Sequence, residues 1–161
     1  MTDPTPPSGA LITREQAHHL VEEAVAAIYD NDHPRFVSAL TESYEPNGPN
    51  LRLILTVIPL TAGAYMRGAM PSDARILGVP STPDDAPEDA WWATRIMAAA
   101  VSDDRDQVQA LVEALANRVE TSDDAVGVGV GVLTALTATL VTSVRVYIAA
   151  KGRDASPEVQ S

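Results

Sequence analysis

Chemistry in this chain would have to start from its carboxylates and three histidines, because it contains no cysteine. They gather most densely at Glu15, His18, His19, Glu22 and Glu23. Glu15-x-x-His18 has the spacing with which a di-iron carboxylate bundle presents two ligands from one helix. Such a centre needs a second Glu-x-x-His and two more inward carboxylates, which neither half of the sequence supplies. The group therefore reads as a solvated helix face with i,i+4 pairing. No metal ligand and no cofactor is assigned.

The acidic clusters Asp30/Asp32, Asp84/Asp85, Asp103/Asp104/Asp106 and Asp123/Asp124 invite a calcium reading. They stand at helix starts, however, where carboxylates satisfy orphan amides, and none has the glycine and closing glutamate of an EF-hand loop. The run Gly127-Val-Gly-Val-Gly131 lacks the Lys-Ser/Thr ending of a phosphate loop. A Gly-x-Ser-x-Gly nucleophile elbow is also missing. No catalytic residue is assigned, and the chain is expected not to be an enzyme.

Three sets of residues remain. Trp91 and Trp92 are adjacent on an expected helix and so point about 100° apart. Trp92 shares a face with Ile96 and Ala99, which leaves Trp91 near the boundary; cover by the Pro-rich linker is the first explanation, and the alternative makes the pair, Trp91 above all, an interface anchor. Gly127, Gly131, Ala135 and Thr139 recur every four residues and form a groove that lets another helix approach closely. Thr56 and Thr134, with Arg52 and Arg145, are the candidates for lining a ligand cavity within the apolar runs.

Those residues need elements to hold them. The 161 residues are 45% hydrophobic and 20% charged, a globular balance built on Ala, Val and Leu with a single Phe. The spacing predicts an all-α protein of about six helices, packed as one bundle. Residues 1–11 read as a flexible arm without the basic and apolar regions of a secretory signal. The helical domain is expected over 12–152, in units of roughly 12–70 and 86–152 joined by a linker at 71–85, with a frayed tail at 153–161. Thr13 and Gln16 form a capping box, with Ile12 and Ala17 as a staple. Asp32-His33-Pro34 starts a short helix through Tyr44, and Asn50 caps a third that Pro59 kinks or splits. Asp103 or Asp104 caps the fifth helix, and Gly152 ends the sixth.

The halves echo one another. Ala24 to Asp32 parallels Ile96 to Asp104, and Leu55, Thr56, Thr61 and Arg67 parallel Leu133, Thr134, Thr139 and Arg145. The pattern suggests a duplicated three-helix unit whose apolar third helices pack centrally.

Ala125 to Val144 carries no charge and reaches about 30 Å as a helix, enough to cross a bilayer. Its six Val and three Leu contribute roughly −3 to −5 kcal/mol to insertion, and its Gly, Ala, Thr and Ser add little. The preferred expectation is a buried helix surrounded by neighbours. A membrane anchor is the alternative, and a strand over Val126 to Val132 a third.

Net charge is −11, from 11 basic and 22 acidic residues. That excess opposes binding to nucleic acid and to an anionic membrane surface. The sequence therefore reads as an acidic, non-catalytic interaction or assembly protein with a protein partner or a second copy of itself. A single-pass membrane protein and a small-ligand-binding bundle are the alternatives. The absence of cysteine fits a reducing cytoplasm, and the Ala-, Asp- and Val-rich usage fits a bacterium or its phage.

Overall fold

The computed structural model describes residues 13–41, 50–70, 85–122 and 126–152. They form six helices and, among the described residues, no strand. In chain order these are α1 (Arg14–Tyr29), α2 (His33–Thr41), α3 (Asn50–Ala69), α4 (Glu88–Val101), α5 (Arg105–Thr121) and α6 (Val126–Lys151). The protein is an all-α bundle. Ile12, Tyr44, most of the expected linker and the tail lie outside the described residues.

Local sequence explains the helix ends. Thr13 Oγ1 accepts from the Gln16 amide at 3.1 Å, while Gln16 Oε1 accepts from the Thr13 amide at 2.8 Å, the reciprocal capping box. Gly152, at φ +89°, closes α6 with its amide donating to the Ile148 carbonyl at 2.8 Å.

The α1–α2 and α4–α5 turns repeat one hydrogen-bond scheme. After α1, Asn31 takes φ 56°, and the amides of Asn31 and Asp32 donate to the Ile28 and Ala27 carbonyls at 3.2 and 2.8 Å. After α4, Asp103 takes φ 56°, and the amides of Asp103 and Asp104 donate to Ala100 and Ala99 at 3.1 and 2.9 Å. Asp32 Oδ1 and Asp104 Oδ1 then cap the next helix by accepting from the Arg35 and Gln107 amides, both at 3.1 Å. Asn and Asp suit the left-handed position because their short polar side chains tolerate it better than other non-glycine residues. Asp104, not Asp103, is therefore the cap.

The core is continuous and spans α1, α3, α4, α5 and α6. The central helix is α3. Ile54, Leu55, Val57, Ile58, Thr61, Ala62, Ala64 and Tyr65 are all buried, which requires neighbours on every side. Pro59 does not split it: the helix runs unbroken from Asn50 to Ala69, with Pro59 buried inside. Proline forfeits one backbone hydrogen bond, and in an enclosed helix the surrounding packing outweighs that loss.

The expectation that α6 is enclosed is corrected. Val132, Leu136, Leu140, Ser143, Val144 and Tyr147 are buried against the bundle, α3 being its main neighbour. On the opposite side, Val130, Thr134, Ala138, Thr142 and Val146 are exposed. Apolar composition permits burial on any side, but a helix at the edge of the bundle meets neighbours on only one. The expected strand over Val126 to Val132 is absent too, because these residues form the first turns of α6.

Close approach is built into the α3–α4 crossing. A Cβ placed on Gly63 would stand 2.5 Å from the Ala100 carbonyl oxygen and 2.7 Å from its carbon. One turn further along α3, the Arg67 guanidinium donates to that same carbonyl at 2.7 Å and to Val101 at 3.2 Å, closing the C-terminus of α4.

Candidate functional site

The described cations divide by location. Arg35 of α2 reaches Glu23 at 2.9 Å and Asp30 at 3.1 Å, and these carboxylates raise the guanidinium pKa, with the hydrogen bond to Glu23 the largest cause. Arg52 of α3 pairs with Glu120 of α5 at 3.2 Å, and its Nε faces Glu113 at 3.6 Å, beyond hydrogen-bond reach. Arg118 of α5 holds Glu88 of α4 at 3.0 Å, and that hydrogen bond is the main reason the Glu88 pKa falls. Arg67 lies 3.7 Å from Asp103. Half-buried Arg35, Arg52 and Arg67 and exposed Arg118 thus brace one element against another, while carboxylates such as Glu15, Glu22 and Asp106 are also exposed.

The ligand-cavity candidates are not brought together. Thr56 donates its hydroxyl to the Arg52 carbonyl at 2.8 Å and Thr134 donates to the Val130 carbonyl at 2.8 Å, so both hydroxyls are committed to their own helices. Arg52 turns toward α5, whereas Thr134 and Arg145 are exposed on α6. The histidine-carboxylate group of α1 is likewise spread. Glu15, His19 and Glu22 are exposed, and His18 is half-buried, its Nε2 without a hydrogen-bond partner among the described residues.

The tryptophans form an organised pair. Trp91 is 37% exposed, and its ring meets that of Trp92 edge-on with centroids 5.0 Å apart. Arg95 lies over the Trp91 ring at 4.4 Å, a cation–π contact that leaves an aromatic-cationic patch facing solvent. Trp92 is half-buried against the core, and its Nε1 donates to Glu88 at 3.4 Å.

The second surface is the outer side of α6. At about 100° per residue, Thr134, Ala138, Thr142 and Arg145 lie within about 40° of one line along the helix, flanked by Val130 and Val146. Val130 is 39% and Val146 53% exposed, high for large apolar side chains. Thr142 donates to the Ala138 carbonyl at 3.0 Å, as Thr134 does to Val130, so both threonines turn methyl groups outward without an unsatisfied hydroxyl. From Val126 to Val144 no charge interrupts the face.

Of the groove residues, Gly127 and Gly131 lie on this line and Ala135 borders it. Gly127 is exposed with nothing within 4 Å of an added Cβ, and Ala135 is half-buried. Gly131 receives Asp89 of α4, whose Cβ would stand 2.8 Å from a Cβ there. Asp89, Arg95, Val130, Ala138, Thr142 and Val146 are the members of these surfaces that sequence reasoning missed. The four-residue spacing of the α6 members was visible, but every stripe of α6 is equally uncharged from Val126 to Val144, and the cue to the outward one, Arg145, stands just beyond that run.

Comparison with protein-family models, with curated proteins and with solved structures finds no match for this chain.

Proposed function

We propose that this protein is a non-catalytic interaction or assembly module of the cytoplasm that binds a protein partner or a second copy of itself through exposed helix faces. The observation that carries the reading is the outer face of α6, uncharged from Val126 to Val144, on a chain of net charge −11. Exposed apolar patches on acidic soluble proteins mark contact surfaces, because leaving them in water costs free energy that association recovers. The Trp91–Arg95 patch adds the aromatic and guanidinium chemistry enriched at binding hot spots. The matching turn geometries support a second part of the reading, that the bundle arose by duplication of a three-helix unit.

The test is affinity capture with one tagged copy from host cells that also express a second copy with a different tag. The reading requires retention of a stoichiometric host protein, of the second copy, or of both. Retention of neither overturns it.

A membrane-anchored protein is the second reading, favoured by the length and hydropathy of Gly127–Lys151, whose most apolar 18-residue stretch is only 33% buried in the bundle. To span a bilayer, α6 would have to withdraw Val132, Leu136, Leu140 and Val144 from the core, each fully buried. A protein that stays in the supernatant after ultracentrifugation without detergent excludes this reading.

A further inference from the structure

We propose that the partner of the α6 face is a second copy of this chain, with the two α6 helices packed antiparallel about a twofold axis at Ala138. The inference rests on the interaction reading above and narrows it to one occupant. Its basis is that the face is complementary to itself under this single operation. An antiparallel pairing centred on Ala138 brings Thr134 to the level of Thr142 and Val130 to the level of Val146, so small side chains line the seam and valines stand at its two flanks. Ala138 at the crossing allows close approach of the backbones.

The charges obey the same operation. Arg145 is exposed, and among the described residues it makes no hydrogen bond or ion pair. Asp89 lies against Gly131, and its carboxylate accepts only from the Ala90 amide at 2.8 Å, with no cation in reach among the described residues. Arg145 is seven residues beyond Ala138 and Gly131 is seven before it. The pairing therefore brings Arg145 of each copy to the level of Asp89 in the other, forming two equivalent intermolecular pairs. A parallel pairing would set Arg145 against Arg145. Elsewhere the surface is dominated by carboxylates, so this face is where two copies of an acidic chain approach without like-charge contact.

The face from Gly127 to Ala149 is about 34 Å long at ~1.5 Å per residue. One helix pair of this length covers less than the roughly 800 Å² per partner of a standard interface, so the dimer is expected to be weak and concentration-dependent.

The native absence of cysteine makes the geometry testable by disulfide trapping. Ala138→Cys is expected to form a covalent dimer under mild oxidation. Thr134→Cys alone is expected to stay monomeric, since its copies lie about eight residues, or ~12 Å, apart along the axis. Mixing Thr134→Cys with Thr142→Cys should restore cross-linking. Self-linking by Thr134→Cys and by Thr142→Cys, with no disulfide between positions 134 and 142 in the mixture, would show a parallel pairing and overturn the proposal.

In analytical ultracentrifugation, untagged wild type should shift toward twice the monomer mass as concentration rises. Ala138→Glu should weaken that association at least tenfold while keeping its helical circular dichroism. Wild type that remains monomeric at the highest soluble concentration refutes this inference, as does a dimer unaffected by Ala138→Glu. A monomer that still retains a stoichiometric host protein refutes it while leaving the interaction reading intact.

Discussion

Replacing Gly63 with alanine should destabilise the protein, although the same change in an ordinary helix interior would stabilise it by about 1 kcal/mol. A Cβ at Gly63 would stand 2.5 Å from the Ala100 carbonyl oxygen, 2.7 Å from its carbon and 3.1 Å from the Val101 nitrogen. These are backbone atoms of a neighbouring helix and cannot rotate aside. Relief requires α3 and α4 to separate by several tenths of an ångström, and overpacking of that kind costs about 1–3 kcal/mol. Separation also stretches the 2.7 Å bond from Arg67 to the Ala100 carbonyl, a charge-assisted bond of the kind worth about 1.5–3 kcal/mol. With the propensity gain subtracted, the net loss should be about 2 kcal/mol, or a fall in Tm of about 4–8 °C for a domain of this size. Gly127→Ala is the internal control, since nothing lies within 4 Å of its Cβ. It should be neutral or stabilising by up to ~1 kcal/mol. Urea unfolding of both variants measures the comparison. A Gly63→Ala protein as stable as wild type would show that the α3–α4 crossing is looser than described.

The two sides of α6 should respond differently to truncation. Leu136→Ala, at a fully buried position, should cost about 2–5 kcal/mol in urea unfolding, and Val130→Ala less than about 1 kcal/mol because Val130 is already 39% exposed. Equal losses would mean that the outward face is covered. At high pH Tyr65, whose buried ring packs against those of Tyr29 and Tyr147, should matter. Burial and then the hydrogen bond to Tyr29 raise the Tyr65 pKa well above its ordinary value. The unfolded chain therefore releases this proton first, and stability should decline above about pH 10. Tyr65→Phe should be less stable at neutral pH, with the gap to wild type narrowing in alkaline unfolding curves. At low pH the sign reverses for Glu88, whose pKa is lowered chiefly by the Arg118 hydrogen bond. Its contribution should be present above the ordinary carboxylate pKa of about 4.3 and be lost as pH falls through the lower folded value. Glu88→Gln should weaken the protein by under about 1 kcal/mol at pH 7, since the pair is exposed and screened, and by nothing once both states are protonated.

The helices and their ends were legible because their causes are local. The Thr13–Gln16 box, the Asp32 cap and the terminal Gly152 each act within about four residues, and short-range chemistry dictates them wherever the chain folds. The cores of α1 and α5 were legible for a related reason: polar residues mark one side and apolar residues the other, so periodicity points inward. The end of α6 shares the first signal, through Gly152, but most of its length lacks the second. With no charge from Val126 to Val144, its sequence fits burial on any side, and only the positions of α1, α3, α4 and α5 decide that Leu136 and Leu140 face inward and Ala138 outward. The enclosure of α3, which carries Pro59 unbroken, depends likewise on neighbours remote in sequence. So do the meetings of Gly63 with Ala100 and of Gly131 with Asp89, where glycine identity permits contact but cannot name the partner. Sequence thus determined which segments become helices and where they stop, because those energies are local. Tertiary structure decided which face of an evenly apolar helix remains in water, because that depends on contacts between residues far apart in the chain.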